Sequence, residues 1–369
     1  MSHLGRRGLV MGAAAVATLA GVHTAAACGG LVAPNGSVRL ARASTLVAWH
    51  GGVEHYMTSF AYAGDAPDIG WIVPLPAVPD KVEKGGAWTL QRLARESQPV
   101  LEEDVAEGFA AASAARSAQV LQTAVIDALD ITVLRGSGQA VLDWCAQNHF
   151  ALNAETRDHI LAYASSSPVF MAAKYDLTQA RLRLTFNGDG TPVLITMHTP
   201  RLWIPLEVLA NASDQVNADV YLLTDDKPTI AGVDLAAFGG NLPNAQGMQL
   251  VRQEPMNDRL HVDLSSDRNM SWVQPAGWFT ALRLEAPGAA VTYDMTVAGT
   301  GQIFTAPMGA GPDALTATPA TVSPTPALTS SSDNTTTYAL ASAAGALALM
   351  LIAVSTVMAL GRRSSTRQR

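Results

Sequence analysis

The chain has only two cysteines and lacks the short motifs that mark common catalytic or cofactor sites. It has no C-x-x-C pair, no H-E-x-x-H motif and no glycine-rich phosphate loop, which excludes the classes of protein recognised by those patterns. It also lacks a G-x-S-x-G nucleophile motif, although catalytic triads assemble from scattered residues as well. The sequence therefore predicts no cofactor and identifies no catalytic residue.

Basic residues are also in short supply. The 24 Lys and Arg residues face 31 Asp and Glu residues, and the net charge is −7. Six of the basic residues lie in the two terminal segments described next, so the central part of the chain carries about −13. Such a surface repels nucleic acid and anionic lipid headgroups. We expect no nucleic-acid partner, and the charge is typical of a soluble exported domain.

The N-terminal segment has the three parts of a signal peptide. Basic Arg6 and Arg7 precede an apolar core from Leu9 to about Ala20, and the small residues Ala25–Ala27 follow before Cys28. The pattern predicts a signal peptide over residues 1–27, cleaved after Ala27. The arginine pair fits a twin-arginine signal in part and the general secretory route equally, so the export route stays open.

A second apolar segment lies near the C-terminus. Residues Tyr338–Leu360 form an uncharged run of 23 residues, and a tail with four arginines and no acid follows at 361–369. A helix of that length rises about 34 Å, enough to cross a hydrocarbon core of about 30 Å. The arginines place the tail in the cytoplasm. We therefore expect a single-pass type I protein of the cell membrane.

The segment 305–337 differs in composition from the rest of the chain. It is rich in Pro, Ser, Thr and Ala and has almost no large apolar side chains. Such a segment cannot bury enough surface to offset its ordering entropy, so we interpret it as an extended stalk. The folded ectodomain is then expected over residues 28–304, a length sufficient for one large domain.

The ectodomain alternates between two kinds of hydrophobic pattern. β-rich runs at 44–50, 53–62 and 69–73 suggest an antiparallel meander, with Pro74 ending the third strand. Helical spacing follows at 88–96, 100–129, 140–149 and 154–164. Later runs predict strands at 131–134, 169–175, 181–186, 193–197, 218–223, 261–264, 279–284 and 291–297. We predict an α+β fold: an antiparallel β-rich ectodomain with a central helical section, plus the C-terminal transmembrane helix.

Several sequence blocks resemble a known bacterial family. The blocks are Cys28–Gly30, Gly64-Asp65 leading into Trp71–Pro76, Val141–Trp144, Tyr163, Val169–Lys174, Val220–Leu223, Phe279–Leu282 and Tyr293–Thr296. The Gly-Asp to Trp-Ile-Val-Pro-Leu-Pro block is the most specific of them. Together they resemble the exported bacterial family catalogued as domain of unknown function 2330, over nearly the whole ectodomain. The resemblance implies an exported or membrane-anchored protein and supplies no catalytic residue or cofactor.

The two cysteines, Cys28 and Cys145, lie in the predicted exported part, where disulfides persist. A bridge between them would close a loop of more than a hundred residues and would contribute about 4 to 5 kcal/mol on the chain-entropy model. Lipidation of Cys28 and two free thiols are the alternatives. We favour the disulfide.

Two histidines come nearest to a metal site. If Gly51–Gly52 closes a two-residue hairpin, its register places His50 and His55 on one face and Glu54 on the other. Two imidazoles without a third ligand do not make a zinc site. His50 and His55 are therefore weak metal candidates, and we favour their interpretation as polar hairpin residues.

The seven tryptophans are spread through the ectodomain, and most are expected in the core. Trp272 and Trp278 flank a Gln-Pro-Ala-Gly sequence and are the candidates for an exposed binding loop. We expect an ectodomain that binds or scaffolds an envelope protein or a cell-wall ligand without catalysis. The alternatives are an extracytoplasmic, hydrolase-like enzyme with dispersed catalytic residues and a purely structural role. Perturbed ionisable groups in a deep pocket would favour the enzyme, whereas an aromatic patch would favour binding.

Overall fold

The computed structural model describes residues 30–34, 38–64, 66–86, 88–97, 120–182, 190–212 and 214–308. The predicted signal peptide, the predicted membrane span and the tail lie outside these residues. The chain divides into two units, Met1–Ala320 and Thr321–Arg369, and every described residue belongs to the first. Within the described ranges, no helix has the length and apolar character needed to span a membrane.

Over the described residues the chain forms eighteen strands, five α-helices and three short 3-10 turns. The strands are β1 (Leu31–Val32), β2 (Val38–His50), β3 (Val53–Gly64), β4 (Asp68–Leu75), β5 (Pro79–Lys84), β6 (Val120–Ile126), β7 (Leu129–Arg135), β8 (Val169–Asp176), β9 (Val193–His198), β10 (Leu202–Ile204), β11 (Gln215–Thr224), β12 (Thr229–Ile230), β13 (Val233–Asp234), β14 (Asn241–Leu242), β15 (Ala245–Pro255), β16 (Trp278–Pro287), β17 (Asp294–Val297) and β18 (Ile303–Ala306). The helices are α1 (Thr89–Glu96), α2 (Gly138–Gln147), α3 (Ala154–Ser166), α4 (Leu177–Leu182) and α5 (Asp258–Ser265).

Two sheets dominate the fold. The larger has the strand order β14-β15-β16-β11-β2-β3-β9-β5, and the smaller has the order β1-β4-β8-β7-β6. Neighbouring strands in both sheets run antiparallel except β11 and β2, which are parallel. A three-stranded sheet, β10-β17-β18, and the β12-β13 pair complete the set among the described residues.

The period-two alternation of the strands sorts their side chains into layers. In β2, Val47 belongs to the core shared with the smaller sheet, whereas Leu46 and Ala48 belong to a separate core with α1 and α5. In β8, Met171 faces the shared core and Phe170 packs with α2 and α3. The order of layers is therefore helices, smaller sheet, larger sheet and helices, with the main core between the sheets.

Helix α1 is capped by a residue that is remote in sequence. The Asp267 carboxylate oxygen Oδ2 accepts hydrogen bonds from the backbone N–H of Trp88 at 3.0 Å and of Thr89 at 2.9 Å. The Thr89 hydroxyl donates to the same oxygen at 2.7 Å. These are the groups that an N-terminal cap satisfies, and the negative charge suits that end of the helix. Asp267 therefore ties α1 to the segment that follows α5.

The predicted α+β class and its antiparallel, β-rich character are confirmed, and α2 and α3 form the central helical section. Two element predictions are wrong, and a third is wrong in part. The helix predicted over 100–129 gives way to β6 from Val120 onward, where Val120, Thr123, Val125 and Ile126 favour a strand; residues 100–119 lie outside the described ranges. The strand predicted at 181–186 begins within α4, and residues 183–186 also lie outside those ranges. The strand predicted at 261–264 is part of α5, whose start is capped by the Asn257 side chain accepting from the Leu260 N–H at 2.9 Å.

The predicted meander and two predicted boundaries also differ from the structure. Strand β4 pairs with β1 and β8 in the smaller sheet and not with β3. Strand β4 also includes Pro74, which pairs with Phe170 of β8 on one side. On the other side the short strand β1 has already ended, so β4 needs no backbone N–H at position 74 to bond with it. At the C-terminal boundary of the predicted ectodomain, β18 includes Thr305 and Ala306. The folded part therefore extends past Phe304 into the first residues of the predicted stalk.

Candidate functional site

A pocket of about 190 Å³ opens where the central strands β16, β11, β2 and β3 of the larger sheet end or begin, on the face that carries α5. The rings of His50, His55 and Trp272 face the cavity. Trp49 and Trp278 also line it, but the alternation of β2 and β16 directs their side chains to the opposite face of the sheet. The remaining lining includes the apolar residues Ala48, Val53, Leu223 and Met256, and the polar residues Thr224, Asp225 and Gln274. We call this site the aromatic pocket. It brings together both weak metal candidates and both residues of the predicted binding loop.

The β2–β3 hairpin supplies the two histidines. Gly51 and Gly52 both have positive φ, 58° and 85°, as a tight two-residue hairpin turn requires. The turn pairs His50 with Val53 and Ala48 with His55, which is the register that the sequence predicts. His50 lies two residues after Ala48 in β2, so the two share a face of the sheet, and Ala48 is opposite His55. Both histidines therefore line the same pocket.

Strand β11 brings an acid to the same place. It runs parallel to β2, with Leu223 opposite Ala48 and Thr224 opposite Trp49, so Asp225 follows directly beside His50. The Asp225 Oδ1 atom lies 2.8 Å from His50 Nδ1. Both side chains are about half exposed, so the pair sits at the mouth of the pocket.

The segment between α5 and β16 provides the opposite wall. The Trp272 ring stacks on the His55 ring with 4.0 Å between centroids and 9° between planes. Trp278 begins β16 and pairs with Thr224 of β11. Gly277 precedes it with φ of 119°, and a Cβ there would lie 2.6 Å from the Thr224 carbonyl oxygen. The close approach of this segment to β11 therefore depends on glycine at position 277.

Burial determines the charge state of the second histidine. It lowers the pKa of the His55 imidazole to about 4, because the charged form loses its hydration. The ring is therefore neutral at neutral pH. Nearby, the Nε1–H group of Trp272 is buried without a hydrogen-bond partner among the described residues. The inner part of the pocket thus presents uncharged rings.

The ring of Trp278 is contacted by a cation, Lys227, that does not line the pocket. The Lys227 ammonium nitrogen lies 5.1 Å from the centroid of the Trp278 ring, within the range of a cation–π interaction. Lys227 also forms an ion pair with Asp234. The Trp278 ring is therefore in an electrostatic environment that accommodates a positive charge.

The geometry provides no metal centre in the described part of the chain. No group of three or more His, Cys, Asp or Glu side chains there is arranged to hold a metal ion. Glu54 points away from the pocket, as its place in the hairpin predicts, and is fully buried. Its Oε2 atom accepts a hydrogen bond from the Thr199 hydroxyl at 3.1 Å. Glu54 therefore supplies no third ligand to His50 and His55.

The strongly perturbed carboxyl groups are buried away from the pocket. Asp294 Oδ1 accepts hydrogen bonds from the Tyr163 hydroxyl at 2.6 Å and from the Leu206 backbone N–H at 2.8 Å. Burial outweighs these bonds and raises the pKa of Asp294 to about 7. Burial also raises the pKa of Glu54 well above its ordinary value. Neither residue lines the aromatic pocket.

The disulfide prediction involves a residue outside the described ranges. Cys145 lies in α2, is fully buried in the core between the smaller sheet and its helices, and forms no disulfide with a residue of the described ranges. Burial raises the pKa of this thiol to about 12. Cys28 is not described, but Gly30, two residues later, accepts a 2.7 Å hydrogen bond from the Ile72 N–H, and Ile72 shares the core of Cys145. The disulfide stays a prediction.

Sequence reasoning missed two residues that line the pocket: Asp225, and Trp49, whose ring faces the core between the sheets. Asp225 follows a strand that was predicted to end at Leu223, so an acid at a strand end was a visible signal. Trp49 stands in the hairpin next to His50, and its Nε1–H donates to the Thr199 carbonyl at 3.0 Å. Neither could be assigned to the pocket without the pairing of β2 with β11.

The fold and the site together define a layered, β-rich α+β domain with an aromatic pocket at the ends of the central strands of its larger sheet. The chain matches the family described as "Uncharacterized protein conserved in bacteria (DUF2330)" over residues 22–254. It belongs to that bacterial family, as its sequence blocks indicated. The matched region ends before Trp272 and Trp278, so it includes the hairpin side of the pocket and not the opposite wall.

Comparisons with other proteins add little. No curated protein matches the chain. Among solved structures, baculovirus P35 is similar with a TM-score of 0.33 and 7% identity, over 74% of this chain and 92% of P35. A mutated baculovirus P35 after caspase cleavage has a TM-score of 0.30 and 8% identity, over 72% and 94% of the two chains. Similarity at this level supports no inference about this protein.

Proposed function

We propose that the protein is a non-catalytic, single-pass protein of the bacterial cell envelope whose ectodomain binds a ligand in the aromatic pocket. The observation that carries the binding proposal is an open cavity walled by the stacked rings of His55 and Trp272, with the His50–Asp225 pair at its mouth. Large aromatic side chains with a few polar groups are typical of small-molecule sites. The expected location rests on the sequence alone, namely the signal segment, the stalk and the apolar run at Tyr338–Leu360.

The distribution of ionisable groups favours binding over catalysis. The buried acids Glu54 and Asp294 do not line the pocket, and the His55 imidazole within it is neutral at neutral pH. The alternative, an extracytoplasmic hydrolase, has the His50–Asp225 pair in its favour, since an acid can orient a histidine base. A nucleophile is needed as well, and the lining hydroxyl, that of Thr224, donates to the Asp226 carbonyl at 2.9 Å. The pair is therefore better explained as a polar rim.

A ligand screen on the purified full-length protein tests the binding proposal. Intrinsic tryptophan fluorescence would be recorded against sets of saccharides, short peptides, amines and nucleosides. We expect at least one class to change the emission of the wild type and not that of Trp272→Leu. Trp88→Leu is the matched control, because Trp88 lies outside the pocket. A complete absence of responses, or responses that persist in Trp272→Leu, would contradict the proposal.

The proposed location has a separate test. Val262 is 60% exposed on α5, so a cysteine at this position is accessible. In a Cys28→Ser background, Val262→Cys should react with a membrane-impermeant maleimide on intact cells, whereas Ser365→Cys in the tail should react only after lysis. The opposite labelling pattern would show that the predicted orientation is wrong.

A further inference from the structure

We propose that strand β6 pairs with the β6 strand of a second copy of this chain, so that two smaller sheets join into one continuous sheet in a symmetric dimer. The surface is separate from the aromatic pocket, and its role does not depend on ligand binding. Strand β6 ends the smaller sheet, and among the described residues it pairs with β7 alone. The backbone N–H and C=O groups of such an edge strand are a template for another strand.

The other sheet edges in the described part of the chain have features that hinder pairing with a second chain. The edge strands β1, β10, β14 and β18 are only two to four residues long. Strand β5 contains one proline and four charged residues, and a bulge interrupts its pairing with β9. Very short strands, proline, charge and bulges are the usual means of protecting an edge. These edges are therefore poor templates.

Strand β6 has little of this protection. Its sequence is Val-Leu-Gln-Thr-Ala-Val-Ile, seven residues with no proline and no charged side chain. A bulge lies between Val120 and Gln122, and the five residues of 122–126 pair with β7 in regular register. Three of the seven residues are β-branched or aromatic types at 123, 125 and 126, which favour extended backbone. This regular stretch is the part of the edge that can accept a strand.

The side chains of β6 are also more exposed than those of the neighbouring strand. In β7, residues Ile131–Leu134 are at most 4% exposed. In β6, Leu121 is 36% exposed, Thr123 is exposed and Val125 is half-buried, whereas Ala124 packs toward the core between the sheets. The outer face of β6 is therefore accessible in a single chain.

The regular stretch suits pairing with a copy of itself. In an antiparallel pair centred on Ala124, Thr123 of each copy lies opposite Val125 of the other. These two pairs lie on the exposed face, and cross-strand pairs of β-branched residues stabilise a sheet. The small Ala124 lies on the two-fold axis, and no like charges are opposed because β6 has none.

A second copy explains this edge better than an unrelated peptide does. Domains that bind extended peptides at a sheet edge obtain specificity from pockets for alternate side chains. Three cavities of the described part of the chain are lined by other elements. In a two-fold interface the same patch serves both partners, so self-complementarity supplies the specificity instead.

Sedimentation velocity of the full-length protein in detergent, from about 1 to 100 µM, measures the association. Pairing of two five-residue stretches is small beside a standard interface of about 1,600 Å². We therefore expect a weak monomer–dimer equilibrium, with a Kd of about 10–100 µM.

Two double variants test the register through its two cross-strand pairs. Thr123→Lys with Val125→Lys opposes two lysines in each pair and should weaken the dimer at least about tenfold. Thr123→Glu with Val125→Lys opposes Glu to Lys at the same positions and should associate again. Val262→Lys with Ser266→Lys adds the same charge at exposed positions of α5 and should behave like the wild type. Thermal unfolding verifies that each variant is folded.

A cysteine gives a second measurement with a small side chain. Residues on the axis of an antiparallel pair have Cα atoms about 4.5–5.5 Å apart, a separation that a disulfide spans. In a Cys28→Ser background, Ala124→Cys should therefore form a disulfide-linked dimer on mild oxidation.

Four results would overturn the inference. The first is a monomer at every concentration up to about 100 µM. The second is unchanged association of the variant with two lysines, which would place the contact elsewhere in the chain. Equal loss of association in both double variants, with their folds retained, would exclude the proposed register. Absence of the linked dimer in Ala124→Cys would contradict the two-fold axis at this residue.

Discussion

The buried carboxyl of Asp294 should make the stability of the folded domain fall as the pH rises toward neutrality. The side chain is 3% exposed, and burial raises its pKa from 3.8 to about 7. Between those two values the unfolded chain has lost this proton and the folded chain has kept it. The unfolded state then binds fewer protons, so the free energy of unfolding decreases with increasing pH by about 1.4 kcal/mol per unit.

The magnitude can be followed through a single substitution, Asp294→Asn. At pH 8 the wild type bears the full cost of ionising the buried acid, about 4 kcal/mol for a shift of this size. The asparagine keeps an oxygen for the Tyr163 hydroxyl and the Leu206 and Glu207 N–H groups. Its amide N–H₂ takes the place of the Oδ2 atom, which has no hydrogen-bond partner among the described residues. Burying these N–H donors without acceptors should cost about 1–3 kcal/mol of stability.

The two stability curves should therefore cross. We expect the variant to be less stable than the wild type by about 1–3 kcal/mol near pH 4 and more stable by a similar amount at pH 8. Urea unfolding of the full-length protein, followed by tryptophan fluorescence from pH 4 to 8, measures both curves. Glu54 titrates in both proteins, so its contribution cancels when the variant is compared with the wild type. Asp158→Asn, which replaces an exposed acid, is the control and should follow the wild-type curve. Curves that stay parallel would refute the reasoning.

Three further predictions follow from individual contacts. Gly277→Ala should destabilise the protein by about 2–3 kcal/mol in chemical denaturation, because it combines positive φ with a close approach to the Thr224 carbonyl; an unchanged midpoint would contradict this. Asp267→Ala should cost about 2 kcal/mol by removing the cap of α1, and Asp267→Asn, which keeps an acceptor oxygen, should cost less; equal losses would contradict this and show that the neutral oxygen alone does not cap the helix. Under non-reducing digestion, the peptides containing Cys28 and Cys145 should migrate as one species, and separate alkylated peptides would exclude the disulfide.

Local signals in the sequence account for the parts of the fold that were predicted correctly. The Gly51–Gly52 turn determines the β2–β3 register from two residues, and α2 and α3 follow from helical periodicity between turn residues. The misassigned segments are those where local signals conflict. In α5 a short apolar–polar alternation resembles that of a strand, but the Asn257 side chain caps the first turn and stabilises a helix. In β6 the apolar residues have a three- and four-residue spacing by coincidence, and antiparallel pairing with β7 stabilises a strand.

The pocket could be predicted only in pieces. The hairpin register places His50 and His55 on one face, and the Pro-Gly sequence near Trp272 suggests an exposed loop. That these groups meet depends on long-range pairing, of β11 with β2 and of β16 with β11. Asp225 reaches His50 through the same pairing. Local patterns contain no information about which distant strands become neighbours, so the site required the structure.

The parallel pairing of β2 with β11 also has a consequence for how the domain assembles. It joins segments far apart in the chain, as the Arg42–Asp219 ion pair shows across 177 residues at the centre of the larger sheet. Loop closure over such distances is slow, and β2 keeps an unpaired edge until β11 arrives. An incomplete chain that ends before β11 therefore exposes a long edge strand to intermolecular pairing. The domain should fold as one late, cooperative unit, and the period before β11 joins the sheet is its point of greatest vulnerability to aggregation.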